Sequence, residues 1–301
     1  RGSAFGRMMY HGDMKSAAGR SKNKTPIRLM LVELMPETPE RQLRTQAYPY
    51  LTAAAKLLGW DASWHALGVR YEPTLRYELP PKDLKLLLAE IARRAPSVVV
   101  INERLVDEQQ AAVEAAAPDG GARLVYCDMG ENFVAQFPGF LRALDPSPKV
   151  PIRDGPDLIE SLEPDFRREV LGAAPWAADP LIRVVVGARC AYRTLVGSNP
   201  FYRGLTTQSA TMGCSFCATP ADGDLLRDGA AFAARQVAAA CRQLARPGVE
   251  MRFEMIGARL WRQLDEFLAE LARSGVRGAE FSFMPRIDEI LAARAAIVRC
   301  L

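Results

Sequence analysis

Two thiols stand three residues apart in the run Thr211-Met212-Gly213-Cys214-Ser215-Phe216-Cys217-Ala218-Thr219-Pro220, just after a stretch, 204–210, that favours a strand. Thiolates at this spacing in a loop both point inward and can hold one metal ion or one cluster. The same pair also fits a redox dithiol, half of a zinc site, or two cysteines with no shared ligand. No second C-x-x-C occurs, and His11 and His65 lie in other regions, so a four-ligand zinc site is short of donors. Nor does the pair open a helix after the first strand of its domain, where a redox dithiol gains its lowered pKa. Cluster chemistry fits the pair best.

The segment Gly213–Thr219 resembles the latter part of the C-x-x-x-C-x-x-C motif of radical S-adenosylmethionine enzymes, with the aromatic Phe216 just before the last cysteine. The resemblance implies three thiolates on a [4Fe–4S] cluster and S-adenosylmethionine on the fourth iron through its amino and carboxylate groups. It also implies an electron donor such as flavodoxin or ferredoxin. Cys214 and Cys217 match two of the three ligands. The first, four residues before Cys214, is Ala210, which cannot bind iron. Cys190 is the nearest substitute thiol and lies well outside the loop. The cluster is therefore expected to be absent or poorly held, whether Ala210 is an engineered change or a natural loss.

Upstream, the elements that must position a cofactor follow a strand–helix alternation. The apolar run Ile27–Leu34 is followed by a Pro-rich loop and a helical stretch from Gln46 to Leu58 that stops at Gly59. Ala62–Leu67 and a helix from Lys82 to Arg94, with Leu84, Leu87, Leu88 and Ile91 on one face, repeat the pattern. The continuous apolar run Ser97–Ile101 suits the middle of a parallel sheet, and helix Glu108–Ala117 and strand Arg123–Cys127 complete four steps. Such alternation predicts an α/β doubly wound sheet, whose ligands bind beyond the carboxyl ends of the strands. The loops there carry Glu33 and Met35, then Asn102, Glu103 and Arg104, then Asp128, Met129 and Gly130, which are the expected cofactor contacts. None of these loops has a G-x-G-x-x-G turn, so a dinucleotide on a glycine loop is not supported.

Prolines crowd the stretch 138–180, which is expected to connect the domain of 26–137 to a second one of 181–301. The second begins with Ile182–Val186 and continues through a helix near Gly229–Ala245, strand Glu250–Ile256, helix Leu260–Arg273, strand Gly278–Phe283 and helix Ile287–Arg299. About three βα units fit a partial barrel or open sheet, against the eight of a full barrel.

This order, a doubly wound domain, a Pro-rich connection and then the cysteine loop, is similar to the cobalamin-binding subfamily of radical S-adenosylmethionine enzymes over about residues 26–301. The resemblance implies cobalamin on a Rossmann-like first domain and a radical-type barrel in the second. Arg286, with Asp288, stands where an Arg-x-Asp pair lies near the cofactor; a solvated helix start explains both residues equally well. The D-x-H-x-x-G signature of a lower axial histidine is missing. An open lower face favours methyl transfer, here to an unactivated carbon or phosphorus centre in a small-molecule or peptide substrate. The competing expectation is a cluster-deficient cobalamin- or S-adenosylmethionine-binding partner or regulator. No catalytic residue is assigned.

Composition sets the outer limits. Apolar residues at 49%, charged residues at 25% and a net charge of +4 without a basic stripe point away from nucleic acid, and no apolar run is long enough for a bilayer. Six cysteines without a secretory leader predict a reducing, cytoplasmic setting. Residues 1–25, polar and without hydrophobic period, are expected as a tag or flexible leader. Cys127 and Cys241, like Trp60 and Trp64, fit a plain core better than a ligand site.

Overall fold

The computed structural model describes residues 26–36, 47–69, 77–118, 121–127, 133–172, 181–185, 229–246, 250–256 and 263–283. Five strands, β1 (Arg28–Pro36), β2 (Asp61–Val69), β3 (Val98–Ile101), β4 (Arg123–Tyr126) and β5 (Glu169–Leu171), form one sheet in the order β4-β3-β1-β2-β5. Every pairing in it is parallel. The reason is legible in β1, which is apolar on both faces. Leu29 and Leu31 enter one core, while Met30, Val32 and Leu34 enter the other. A strand so patterned must be covered on both sides.

The covering helices are α1 (Tyr48–Leu57), α2 (Pro81–Arg94), α3 (Asp107–Ala115), α4 (Phe133–Leu144) and α5 (Gly155–Ser161). Helices α1, α4 and α5 bury Leu51, Phe137 and Leu158 on one face. Helices α2 and α3 bury Leu87, Ile91 and Val113 on the other. Arg93 and Arg94 close the last turn of α2, where positive charge complements the helix dipole. Between α3 and β4 the backbone of Gly121 has φ of 90° and passes so close to Glu114 that a Cβ would lie 2.6 Å from its carbonyl oxygen. Only glycine fits there.

The stretch 138–180 holds more than the expected connection. Helix α4 runs on through Pro138 to Leu144, Pro156 starts α5, and β5 pairs with β2 at the edge of the first sheet. Prolines there sit at helix starts and between elements as well as in loops, and a three-residue strand shows no readable period. The other expected elements lie within a few residues of those observed, while the stretches 204–210 and Ile287–Arg299 fall outside the described residues.

A second parallel sheet, in the order β6-β7-β8, comprises β6 (Leu181–Val185), β7 (Met251–Ile256) and β8 (Ala279–Phe283). Helices α6 (Gly229–Leu244) and α7 (Leu264–Arg273) pack on it. Alanines 233, 234, 239 and 240 give α6 a low-relief buried face, and Phe253 stacks on Phe281 at 5.5 Å between ring centres. No helix among the described residues is long and apolar enough to cross a membrane.

Candidate functional site

In the first sheet β2 lies on one side of β1 and β3 on the other, so the winding reverses between β1 and β3. A crevice opens at the carboxyl ends of strands about such a point, and ligands of doubly wound sheets bind there. Backbone pairing between β1 and β3 ends at Val32 and Ile101. One step further, the Asn102 carboxamide replaces the missing strand: Leu34 N–H donates to its Oδ1 at 2.7 Å, and its Nδ2 donates to the Leu34 carbonyl at 3.2 Å.

Tyr48, in the first turn of α1, reaches under this point. Its hydroxyl lies 3.1 Å from the Val32 carbonyl and 3.2 Å from that of Val100, so it donates across the β1–β3 seam. Burial pushes its pKa well up, and negative charge at Cys127, Glu33 and Glu103 adds to the rise. The phenol therefore stays a neutral donor. In sequence Glu33 follows Val32 of β1 and Glu103 follows the end of β3, while Cys127 follows β4 and its N–H donates to the Ile101 carbonyl at 2.8 Å.

Glu33 is almost wholly buried, and its Oε2 lies 3.5 Å from Nη1 of the equally buried Arg168, just before β5. The Arg168 guanidinium also lies 5.8 Å from the centre of the Trp64 ring. A carboxylate this deep needs such a partner.

Of the residues expected from sequence, Glu33 is buried within β1, Asn102 and Glu103 follow the end of the adjacent β3, and Met35 is buried near the end of β1. Arg104 is exposed and turns toward β4, its guanidinium 5.8 Å from the Tyr126 ring centre. Asp128, Met129, Gly130, Arg286, Cys214 and Cys217 lie outside the described residues, as does Ala210. Sequence reasoning missed Tyr48 and Arg168. Neither carries a motif, and only the sheet order brings them to the edge.

A second polar cluster lies on the opposite face of the sheet. His65 is fully buried on β2, with Nε2 3.8 Å from Glu90 and Nδ1 3.6 Å from Glu169, and donor atoms of the three residues lie within 4.8 Å of one another. Arg94 joins the two acids, donating to Glu90 at 2.9 Å and to Glu169 at 2.6 Å, while Arg93 donates to Glu90 at 2.8 Å. Hydrogen bonding from Arg93 leads in holding the Glu90 carboxyl at about 2. Two guanidiniums already balance two carboxylates, and a divalent ion would have to displace them. Burial, the largest influence on His65, lowers its pKa against the pull of Glu169 and Glu90, so the imidazole is neutral near pH 7.

No protein-family model and no curated protein matches the chain.

Proposed function

We propose that the first α/β unit holds a cobalamin at its carboxyl edge, and that the chain is a cobalamin-dependent radical S-adenosylmethionine methyltransferase impaired by the loss of one cluster ligand. The observation that carries the reading is the chemistry of the β1–β3 crevice. Its leading amide, Leu34 N–H, is taken by Asn102; Glu103 follows the end of β3, and the acid of β1, Glu33, is already held by Arg168. A phosphate seeks free backbone N–H groups, and the Leu34 N–H is already engaged by Asn102. A corrinoid carries a cationic metal and a fringe of amide N–H donors, which suit carboxylate and carbonyl acceptors. The Glu103 carboxylate and the loop after β4, with Asp128, Met129 and Gly130, are the groups proposed to meet it. Met35 and Asn102 are proposed to shape the wall behind it, with Arg104 at its margin; Arg286 is proposed as a further contact on the resemblance alone.

When bound, cobalamin supplies a methyl carrier, and a [4Fe–4S] cluster with S-adenosylmethionine supplies one-electron chemistry. This chain's own part in the second is limited to Cys214 and Cys217, since Ala210 has no ligand atom. That same alanine favours a second reading, in which the chain binds cobalamin or S-adenosylmethionine as a partner or regulator without radical turnover. The two readings separate on iron and sulfide content after anaerobic reconstitution of Ala210→Cys beside the unaltered chain. Full cluster occupancy with cleavage of S-adenosylmethionine in Ala210→Cys supports the enzyme. Unchanged, substoichiometric iron in both proteins favours the binding protein. The methyl acceptor, an unactivated carbon or phosphorus centre, and a flavodoxin- or ferredoxin-type electron donor belong to the enzyme reading alone.

A further inference from the structure

We infer that the segment Glu163–Glu169 is a two-sided staple that makes the two α/β units one cooperative body. Domains joined by a Pro-rich connection ordinarily move independently. Here the connecting residues face both ways. Toward the second unit, Gln243 of α6 receives the Phe166 N–H at 2.7 Å and donates to the Pro164 carbonyl at 3.1 Å. The Phe166 side chain enters the core beneath β6 and β7. Toward the first unit, the Asp165 N–H donates to the Pro49 carbonyl at 3.0 Å, and its carboxylate meets Lys56 of α1. Arg168 then pairs with Glu33, and Glu169 takes its place beside His65 in β5.

The exchange is reciprocal. Phe232 of α6 belongs to the core of the first unit and stacks on Tyr50 at 6.1 Å. Each unit thus buries an aromatic ring supplied across the junction. The Glu163–Arg242 ion pair at 2.8 Å adds little, since both side chains are more than half exposed. Within the staple the paired amide of Gln243 and the burial of Phe166 carry the coupling, because lost burial of an aromatic ring outweighs a solvated ion pair several-fold. The inference does not depend on which cofactor the chain binds.

Hydrogen exchange of the full chain, followed separately in β3 and β7, tests it. Val99→Ala trims a side chain buried deep in the first sheet, far in sequence from β7. In a single body it speeds the slowest amides of both strands alike, by about tenfold. In a Gln243→Ala/Phe166→Ala background, the same Val99→Ala change speeds β3 and leaves β7 at the background rate. If Val99→Ala leaves β7 exchange unchanged in the otherwise unaltered chain, the two units open independently and the inference fails. If β7 still follows β3 in the Gln243→Ala/Phe166→Ala background, the staple is not what couples them.

Discussion

Asn102 and Leu34 meet as one strand meets another: both ends of a side-chain carboxamide pair with one residue's N–H and carbonyl, at 2.7 and 3.2 Å. The contact lies where β3 has ended and β1 continues, so it holds the crevice wall without filling the crevice. It also removes the amide that an anionic ligand would need first.

Asn102→Ala leaves that partly buried N–H without its acceptor. The expected loss is about 1–3 kcal/mol of stability, the usual cost of orphaning such a group. Urea unfolding measures it, and a loss within about 0.3 kcal/mol of zero would mean that water replaces the carboxamide freely.

Glu33 and Arg168 form a buried pair, and either partner alone is a worse state than neither. Arg168→Met is expected to cost about 3–5 kcal/mol by stranding the carboxylate, and Glu33→Gln added to it to recover a large part of that loss. A double-mutant cycle reads the coupling. Simple additivity would show that the two charges do not depend on each other.

Stability should fall with acid in two stages. His65 has a lowered pKa in the folded chain, so the unfolded chain takes up the proton more readily. Its contribution is complete above the ordinary value of 6.5 and is lost as pH falls below it. Glu90 and Asp165 act lower down. For Asp165, burial raises the pKa, but hydrogen bonds from Arg167 and Lys56 outweigh it and hold the group at about 2. These two contributions disappear as pH drops from about 4 toward 2, between the unfolded and folded values. Melting temperature against pH should show both stages, and His65→Gln should flatten only the first. A profile that is level from pH 7 to 5 would contradict the buried neutral imidazole.

Much of the fold was legible because its signals are local. The apolar run at β3, the helical stripe of Leu87 and Ile91 in α2 and the alternation of strands with helices all survive in the structure. Strand β5 was not legible: three residues carry no period, and Glu169–Leu171 becomes a strand only because β2 offers an edge. The site divides the same way. Asn102 and Glu103 follow from knowing which loops end parallel strands, whereas Glu33, expected on a loop, lies inside β1 and is buried. Tyr48 and Arg168 come from a helix start and a Pro-rich stretch, and only packing brings them to that edge. The pairing of the Asn102 carboxamide with the backbone of Leu34 carries no signal in the sequence and comes only from the strand ends meeting.

The most direct test of the central claim is an absorbance titration of the purified full chain with hydroxocobalamin. Stoichiometric binding is predicted, with the spectrum of a cobalamin whose lower base is displaced and not replaced by histidine, since no D-x-H-x-x-G histidine is present. A chain that is folded by circular dichroism and leaves the cobalamin spectrum unchanged would contradict a corrinoid site at the β1–β3 edge.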